Sequence, residues 1–349
     1  MTDAQTGGVL PYAIENKNEI LNSAEKIDAE KIDVVINRRA GTVLRLGEEA
    51  VRMGLEESLG ARLGSMQFID GAEIAPTVKA WVAANSGNGE KGGATGRGLV
   101  LGGGDGSILT AAGEFLGRDD ITLGVLPLGT HNLFARQLGF AADFRAAARQ
   151  YKNVASAKVD VGNVNGENFL VGLMIDRNSV DFFNAREDVR SRKPFSALRR
   201  IFTLAANVIF GRKARLDVSG TPQKGRMFVI TNNRLQPRPS TDKLPLPQNL
   251  KPIIENAFAK GRPDDGTLAF YAFDGGAHNI AGLLRKIWDG RWTAAKNIRV
   301  QTAPELVIQP AAVTKRTALP VILDGEMKIA SYPLNVKLLP QALKVYRPS

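Results

Sequence analysis

Apolar runs alternating with amphipathic stretches up to about residue 150, then closely spaced short β-type runs, predict an α/β fold in two parts. The first part is a Rossmann-like parallel sheet. The second is an antiparallel, β-rich, sandwich-like domain, with a cleft between the two. Size points the same way: 349 residues of 44% hydrophobic composition can fill more than one packed core. On this reading residues 1–30 are a polar extension, 31–154 form the α/β domain and 155–333 the β-rich domain, while 334–347 return to the first.

Each element follows from local pattern. Ile32-Asp33-Val34-Val35-Ile36 is a buried strand, and helical spacing over 43–63 and 75–84 flanks a short strand at 66–69. The alternation repeats as strand 98–101, helix 107–116, strand 121–126 and helix 131–138. Gly87-Asn88-Gly89-Glu90-Lys91-Gly92 satisfies G-x-G-x-x-G literally. It follows a helical pattern and precedes a strand, the reverse of a dinucleotide fingerprint, and is assigned to a loop. Strands at 158–164 and 168–174 meet at Asn165-Gly166, a strong hairpin signal. Others are expected at 226–231, 268–273, 305–308, 320–323 and 334–338, with a proline-rich surface excursion over 236–252.

Composition removes whole classes of chemistry. There is no cysteine, so disulfides, thiolate metal sites and a cysteine nucleophile are excluded, and the two histidines, His131 and His278, leave acid–base work to carboxylates. The first residues lack the basic and apolar regions of a leader, and the longest apolar stretch, 201–210, falls short of the roughly 20 residues of a spanning helix. A cytoplasmic protein is expected. A net charge of +11 and a pI near 9.8 favour an anionic partner: a nucleotide, a nucleic acid or an anionic membrane. No recognisable nucleic-acid module is present, so nucleic acid is not expected. Between 186 and 215, Arg190, Arg192, Lys193, Arg199, Arg200 and Arg212 alternate with Phe195, Leu198, Ile201, Phe202 and Phe210. This is either a helix in the membrane interface, making peripheral contact, or one packed on the second domain's sheet.

Two strand-to-helix junctions carry the phosphate-type signal. In the first, a strand runs into Gly102-Gly103-Gly104-Asp105-Gly106-Ser107 and then a helix, so backbone N–H groups and a helix N-terminus face the turn. Asp105 either meets phosphate through Mg²⁺, positions a hydroxyl, or simply caps the helix. In the second, Pro127-Leu128-Gly129-Thr130-His131-Asn132 again ends a strand, with Thr130 as a candidate N-cap. Ligands of parallel sheets sit at the carboxyl ends of strands, so the two turns should converge. Asp324-Gly325, taken alone, is a hairpin turn.

The motif order resembles the catalytic domain shared by diacylglycerol kinases, sphingosine kinases and bacterial lipid kinases. Asn37-Arg38-Arg39-Ala40-Gly41 resembles that family's N-P-x-[SA]-G, Gly103-Gly104-Asp105-Gly106-Ser107 its G-G-D-G-[TS], Pro127 to Asn132 its P-x-G-T-x-N, and Asp324-Gly325-Glu326 its D-G-E. The resemblance implies an ATP-dependent lipid kinase using Mg²⁺, acting on a lipid substrate at a membrane surface, on its inner face, and compatible with a homodimer. It places Asn37, Gly103, Gly104, Asp105, Gly106, Ser107, Gly129, Thr130 and Asn132 on the nucleotide. Asp324 becomes the general base, supported by Glu326 and Asp105, and Asp265 of the D-G-x-L element a metal ligand. Arg38 replaces the family's proline, Leu133 follows Asn132 where many bacterial members have aspartate, and Thr231-Asn232-Asn233 opens a stretch where prolines replace the family's glycines. Alternatives are an NAD kinase, which shares G-G-D-G, and a catalytically silent nucleotide- or lipid-binding module.

Overall fold

The computed structural model describes residues 31–86, 97–175, 213–233, 264–274, 298–311 and 318–349. The extension 1–30, the glycine-rich loop 87–96, the amphipathic segment up to 212 and the proline-rich stretch lie outside them.

The first elements are β1 (Ile32–Asn37), α1 (Gly41–Leu46), α2 (Glu48–Leu59), β2 (Leu63–Ile69), α3 (Ile74–Asn85), β3 (Arg97–Gly103), α4 (Asp105–Phe115), β4 (Ile121–Pro127), α5 (Leu133–Gln137) and α6 (Phe144–Gln150). The strands pair in the order β2-β1-β3-β4, all parallel. β4 is buried along its whole length, which its unbroken apolar sequence anticipates for a sheet covered on both faces. The single helix expected over 43–63 is two. Gly47, at φ 87, ends α1 by donating to the Val43 carbonyl, and Glu48 and Glu49 then open α2 at its positive end. The helix expected at 131–138 contracts to α5, because Asn132 is left-handed at φ 52 and stops any earlier start.

Further along come β5 (Val154–Val164), β6 (Glu167–Phe169), β7 (Gly172–Ile175), β8 (Ala214–Val218), β9 (Thr221–Gly225), β10 (Met227–Thr231), β11 (Leu268–Phe273), β12 (Ile298–Ala303), β13 (Glu305–Pro310), β14 (Ala318–Leu323), β15 (Glu326–Ser331) and β16 (Leu334–Pro348). Asn165 and Gly166, at φ 49 and 94, make the tight β5–β6 turn whose two left-handed positions suit Asn-Gly. The strand expected at 168–174 is in fact two. β6 stays with β5, whereas β7 crosses to a second, antiparallel sheet ordered β12-β11-β10-β7-β14-β15. The first sheet continues past β4 through β16, β13, β8 and β9, with β5 on β16.

β16 joins the two halves of that sheet. Its start pairs with β13 and β5, and its end lies parallel to β4 at Val345 and Leu123. One hydrophobic cluster surrounds the parallel strands and includes Leu343, Val345 and Tyr346 of β16; a second lies between the sheets, with Leu173, Phe228, Phe270 and Leu323 facing Phe169, Val218, Leu306 and Val336. Beyond Leu123, the β4 edge is served by a side chain. The buried Tyr151 hydroxyl donates to the Val125 carbonyl (2.9 Å) and accepts from the Val125 N–H (2.7 Å). Tyr151→Phe leaves both main-chain groups unpaired, so urea unfolding should report a loss of about 1–3 kcal/mol. No helix among the described residues is long and apolar enough to cross a membrane.

Candidate active site

The carboxyl ends of β1, β3 and β4 are neighbours, and the turns after them are bonded to one another. The N–H groups of Leu128 and Gly129 donate to the Gly103 carbonyl (3.2 and 3.1 Å), and Thr42 N–H donates to the Leu128 carbonyl (2.9 Å). Asn37 Nδ2 donates to Ser107 Oγ at 2.9 Å. Arg38, in place of the family's proline, uses the donor a proline lacks: its N–H reaches the Ile69 carbonyl at 2.9 Å. The loop after β1 is therefore tied to the end of β2.

The two glycine turns touch. A Cβ on Gly129 would stand 2.3 Å from Gly104 Cα and 2.8 Å from Asn132 Oδ1, so only glycine permits this approach. Asn132 closes the second turn on itself, accepting from Gly129 N–H (2.8 Å) and donating to the Gly129 carbonyl (2.9 Å). Its side chain is thus committed to turn shape. Thr130 is not the N-cap of α5; that position is Asn132, and Thr130 Oγ1 instead faces Gly41. Asp105 does not cap its own helix either. It is the first residue of α4, and Asp105 Oδ1 accepts from Phe134 N–H at 3.0 Å, near the start of α5. One carboxylate thereby fastens the two phosphate-type turns together.

The β14–β15 hairpin brings the remaining carboxylates. Asp324 and Gly325 are its two left-handed turn residues, at φ 46 and 86, so the hairpin reading and the functional reading of Asp-Gly describe the same atoms. Asp324 is 9% exposed. Its Oδ2 accepts from Leu170 N–H (2.6 Å) and its Oδ1 from Val171 and Gly172 N–H (2.9 and 2.8 Å). Burial raises its pKa from 3.8 to about 6; those amides pull it back down, and the Asp105 charge adds to the rise. Glu326 follows on β15, and a Cβ on Gly106 would lie 3.0 Å from Glu326 Oε1. Asp105, Asp324 and Glu326 therefore border one space with the glycine turns.

Asp265 sits elsewhere. Its Oδ1 accepts from Thr267 N–H and Oγ1 (3.1 and 3.0 Å), while the flanking Gly266 N–H donates to Asp160 Oδ2 (2.9 Å) and Asp264 pairs with Arg347 (3.1 Å). Among the described residues no three His, Asp or Glu side chains gather closely enough to hold a metal by themselves. Sequence reasoning did not find the role of Leu170–Gly172, the tripeptide between the sheets whose amides hold Asp324. Backbone donors leave no side-chain signature.

Comparison with known proteins agrees with this fold. Residues 31–164 match the family model described as the diacylglycerol kinase catalytic domain. A protein named as a lipid kinase from Staphylococcus haemolyticus is 25% identical over 257 residues, covering 70% of this chain and 74% of that one. Another so named, from Staphylococcus aureus strain MSSA476, is 23% identical over 251 residues, covering 71% and 76%. A solved structure described as a diacylglycerol kinase from Bacillus anthracis superposes with a TM-score of 0.62 at 17% identity, over 91% of this chain and 97% of that one. The motif resemblance therefore stands: residues 31–164 match the diacylglycerol kinase catalytic domain, and that match together with the lipid-kinase relatives supports an enzyme with phosphotransferase activity.

Proposed function

We propose that this chain transfers the γ-phosphoryl group of ATP to the hydroxyl of a membrane lipid, diacylglycerol-like or sphingoid-like, as a peripheral protein on the cytoplasmic membrane face. The observation that carries the reading is the convergence of two interlocked glycine turns on one buried carboxylate. The turns after β3 and β4 offer backbone N–H groups and close approach to a polyphosphate, with Asn37 and Ser107 bonded beside them. Residues 31–154 then form the nucleotide side of the cleft, and 155–333 the lipid side.

Asp324 is the base. Leu170 N–H occupies one lone pair of Oδ2, which leaves the other for the acceptor O–H. As the acceptor oxygen bonds to the γ-phosphorus and the bond to ADP breaks, Asp324 takes the acceptor proton. Asp105 and Glu326 would hold a Mg²⁺ ion, which is commonly bound by one or two carboxylates plus substrate oxygens. Bound there, Mg²⁺ would neutralise charge on the transferring group.

Incubation with γ-labelled ATP, Mg²⁺ and mixed lipid micelles should put label in the organic phase. Label on NAD instead would favour the NAD kinase, and binding of ATP and lipid with no transfer would leave a binding module. Because Asp324 acts ionised with a pKa of about 6, kcat/KM should fall roughly tenfold per pH unit below that value.

A further inference from the structure

We infer that Asn232 is a positioning residue for Asp324, acting through the Leu170–Gly172 tripeptide; the inference rests on Asp324 being the base. Three consecutive residues there have all six main-chain polar groups bonded by just two partners. Asp324 takes four of them: its carboxylate accepts the N–H groups of Leu170, Val171 and Gly172, and its own N–H donates to the Gly172 carbonyl at 2.9 Å. Asn232 takes the other two. Its backbone N–H donates to the Val171 carbonyl (3.1 Å), and its Nδ2 donates to the Leu170 carbonyl (3.2 Å) and to the Asp160 carbonyl (2.6 Å).

The tripeptide is thus gripped from both sides. It has left β6 and not yet settled into β7, so without the Asn232 amide group the Leu170 carbonyl has no ladder to hold its plane, while the Val171 carbonyl keeps the main-chain N–H of residue 232. Rotation of the Leu170–Val171 peptide would turn the Val171 N–H away from Asp324. The grip is anchored in turn: Asp160, 2% exposed, accepts from Gly266 N–H at Oδ2 and from Gln341 N–H at Oδ1 (2.9 and 2.8 Å), which ties β5 to the turn before β11 and to β16.

The choice of residue supports a donor role. Asn232 is fully buried, and its Oδ1 has no hydrogen-bond partner among the described residues. A residue kept for packing would not bury an unpaired amide oxygen, whereas one kept to present an N–H₂ to two carbonyls must carry it.

The test compares Asn232→Leu, which preserves volume, with Asn232→Ala in the full chain. Backbone amide exchange of Leu170–Gly172 is measured beside kcat per titrated nucleotide site and KM for ATP. In both variants the Val171 amide, whose peptide loses the side-chain donor, should exchange at least tenfold faster, while β3 and β4 stay protected. The kcat per site should fall by about 10- to 100-fold, with KM for ATP within twofold. A leucine variant that restores wild-type kcat and exchange means Asn232 merely fills space, and overturns the inference. So does a loss confined to melting temperature with kcat per site unchanged. If neither variant folds, the unmodified protein decides: the three amides must be as protected as those of β5, and exchange at open-loop rates refutes the grip. Exchange is read without turnover, so absence of transfer by the unmodified protein defeats the kinase reading and leaves this test standing.

Discussion

Asp324→Asn should lower phosphoryl transfer to lipid by about 10²- to 10⁴-fold while ATP still binds, the range expected when a positioned general base is removed. Asparagine can keep an oxygen where Oδ1 meets Val171 and Gly172, but its N–H₂ then opposes Leu170 N–H and has no lone pair for the acceptor proton. Stability gives a second signature. The folded pKa is raised from 3.8 to about 6, so between those values the folded chain holds this proton more firmly than the unfolded one. Stability from this group is therefore greatest at acid pH and declines as pH rises from about 4 to 6. Asparagine does not titrate. Its deficit in melting temperature relative to the unmodified protein should be larger at pH 4 than at pH 7, as calorimetry at the two values would show. A deficit independent of pH would mean that Asp324 is ionised as easily as a surface carboxylate.

Gly129→Ala should have the second largest effect. The new methyl group would meet the main chain of Gly104 at 2.3 Å to Cα and 3.0 Å to N, and neither atom can move aside as the tip of a side chain would. The two phosphate-type turns must separate, straining the Gly103 carbonyl that accepts from Leu128 and Gly129. Nucleotide affinity by calorimetric titration should fall about 10- to 100-fold, with about 1–3 kcal/mol lost in stability. Gly113→Ala is the control. Nothing lies within 4 Å of a Cβ there, inside α4, and alanine should add about 0.5–1 kcal/mol with unchanged binding. Equal damage from both substitutions would show that close approach of the turns is not what binds nucleotide.

The parallel half of the fold was legible because burial there makes its strands continuous apolar runs and ends them in glycine. β4 and the turns at Gly103 and Gly129 show this most clearly. The hairpin at Asn165-Gly166 was legible because only such residues tolerate two left-handed positions in succession. β15 was not: Glu326-Met327-Lys328-Ile329 alternates over only four residues, and this edge strand leaves Met327 and Ile329 exposed, so no buried face marks it. β16 read as stopping before Pro340. It continues because that proline falls in the irregular pairing between Leu339 and Leu343, where no ladder N–H is needed. In the site, residue types that approach phosphate announced themselves, whereas the partners they use did not. Asp105 reaching Phe134, and Asn232 reaching Leu170, are contacts between distant parts of the chain. Local sequence records the tolerance of each position and not its companion.

The placement of β16 also sets an order of events during synthesis. The stretch 31–164 leaves the ribosome before β16, and the part of β5 beyond its β6 pairing and the Leu123 edge of β4 find their neighbour only when residues near Val345 have been made. At typical translation speeds of about 5–20 residues per second, that is a wait of roughly 10–35 s with open strand edges. The protein's phosphate cradle and its base can meet only after Asp324 has been made.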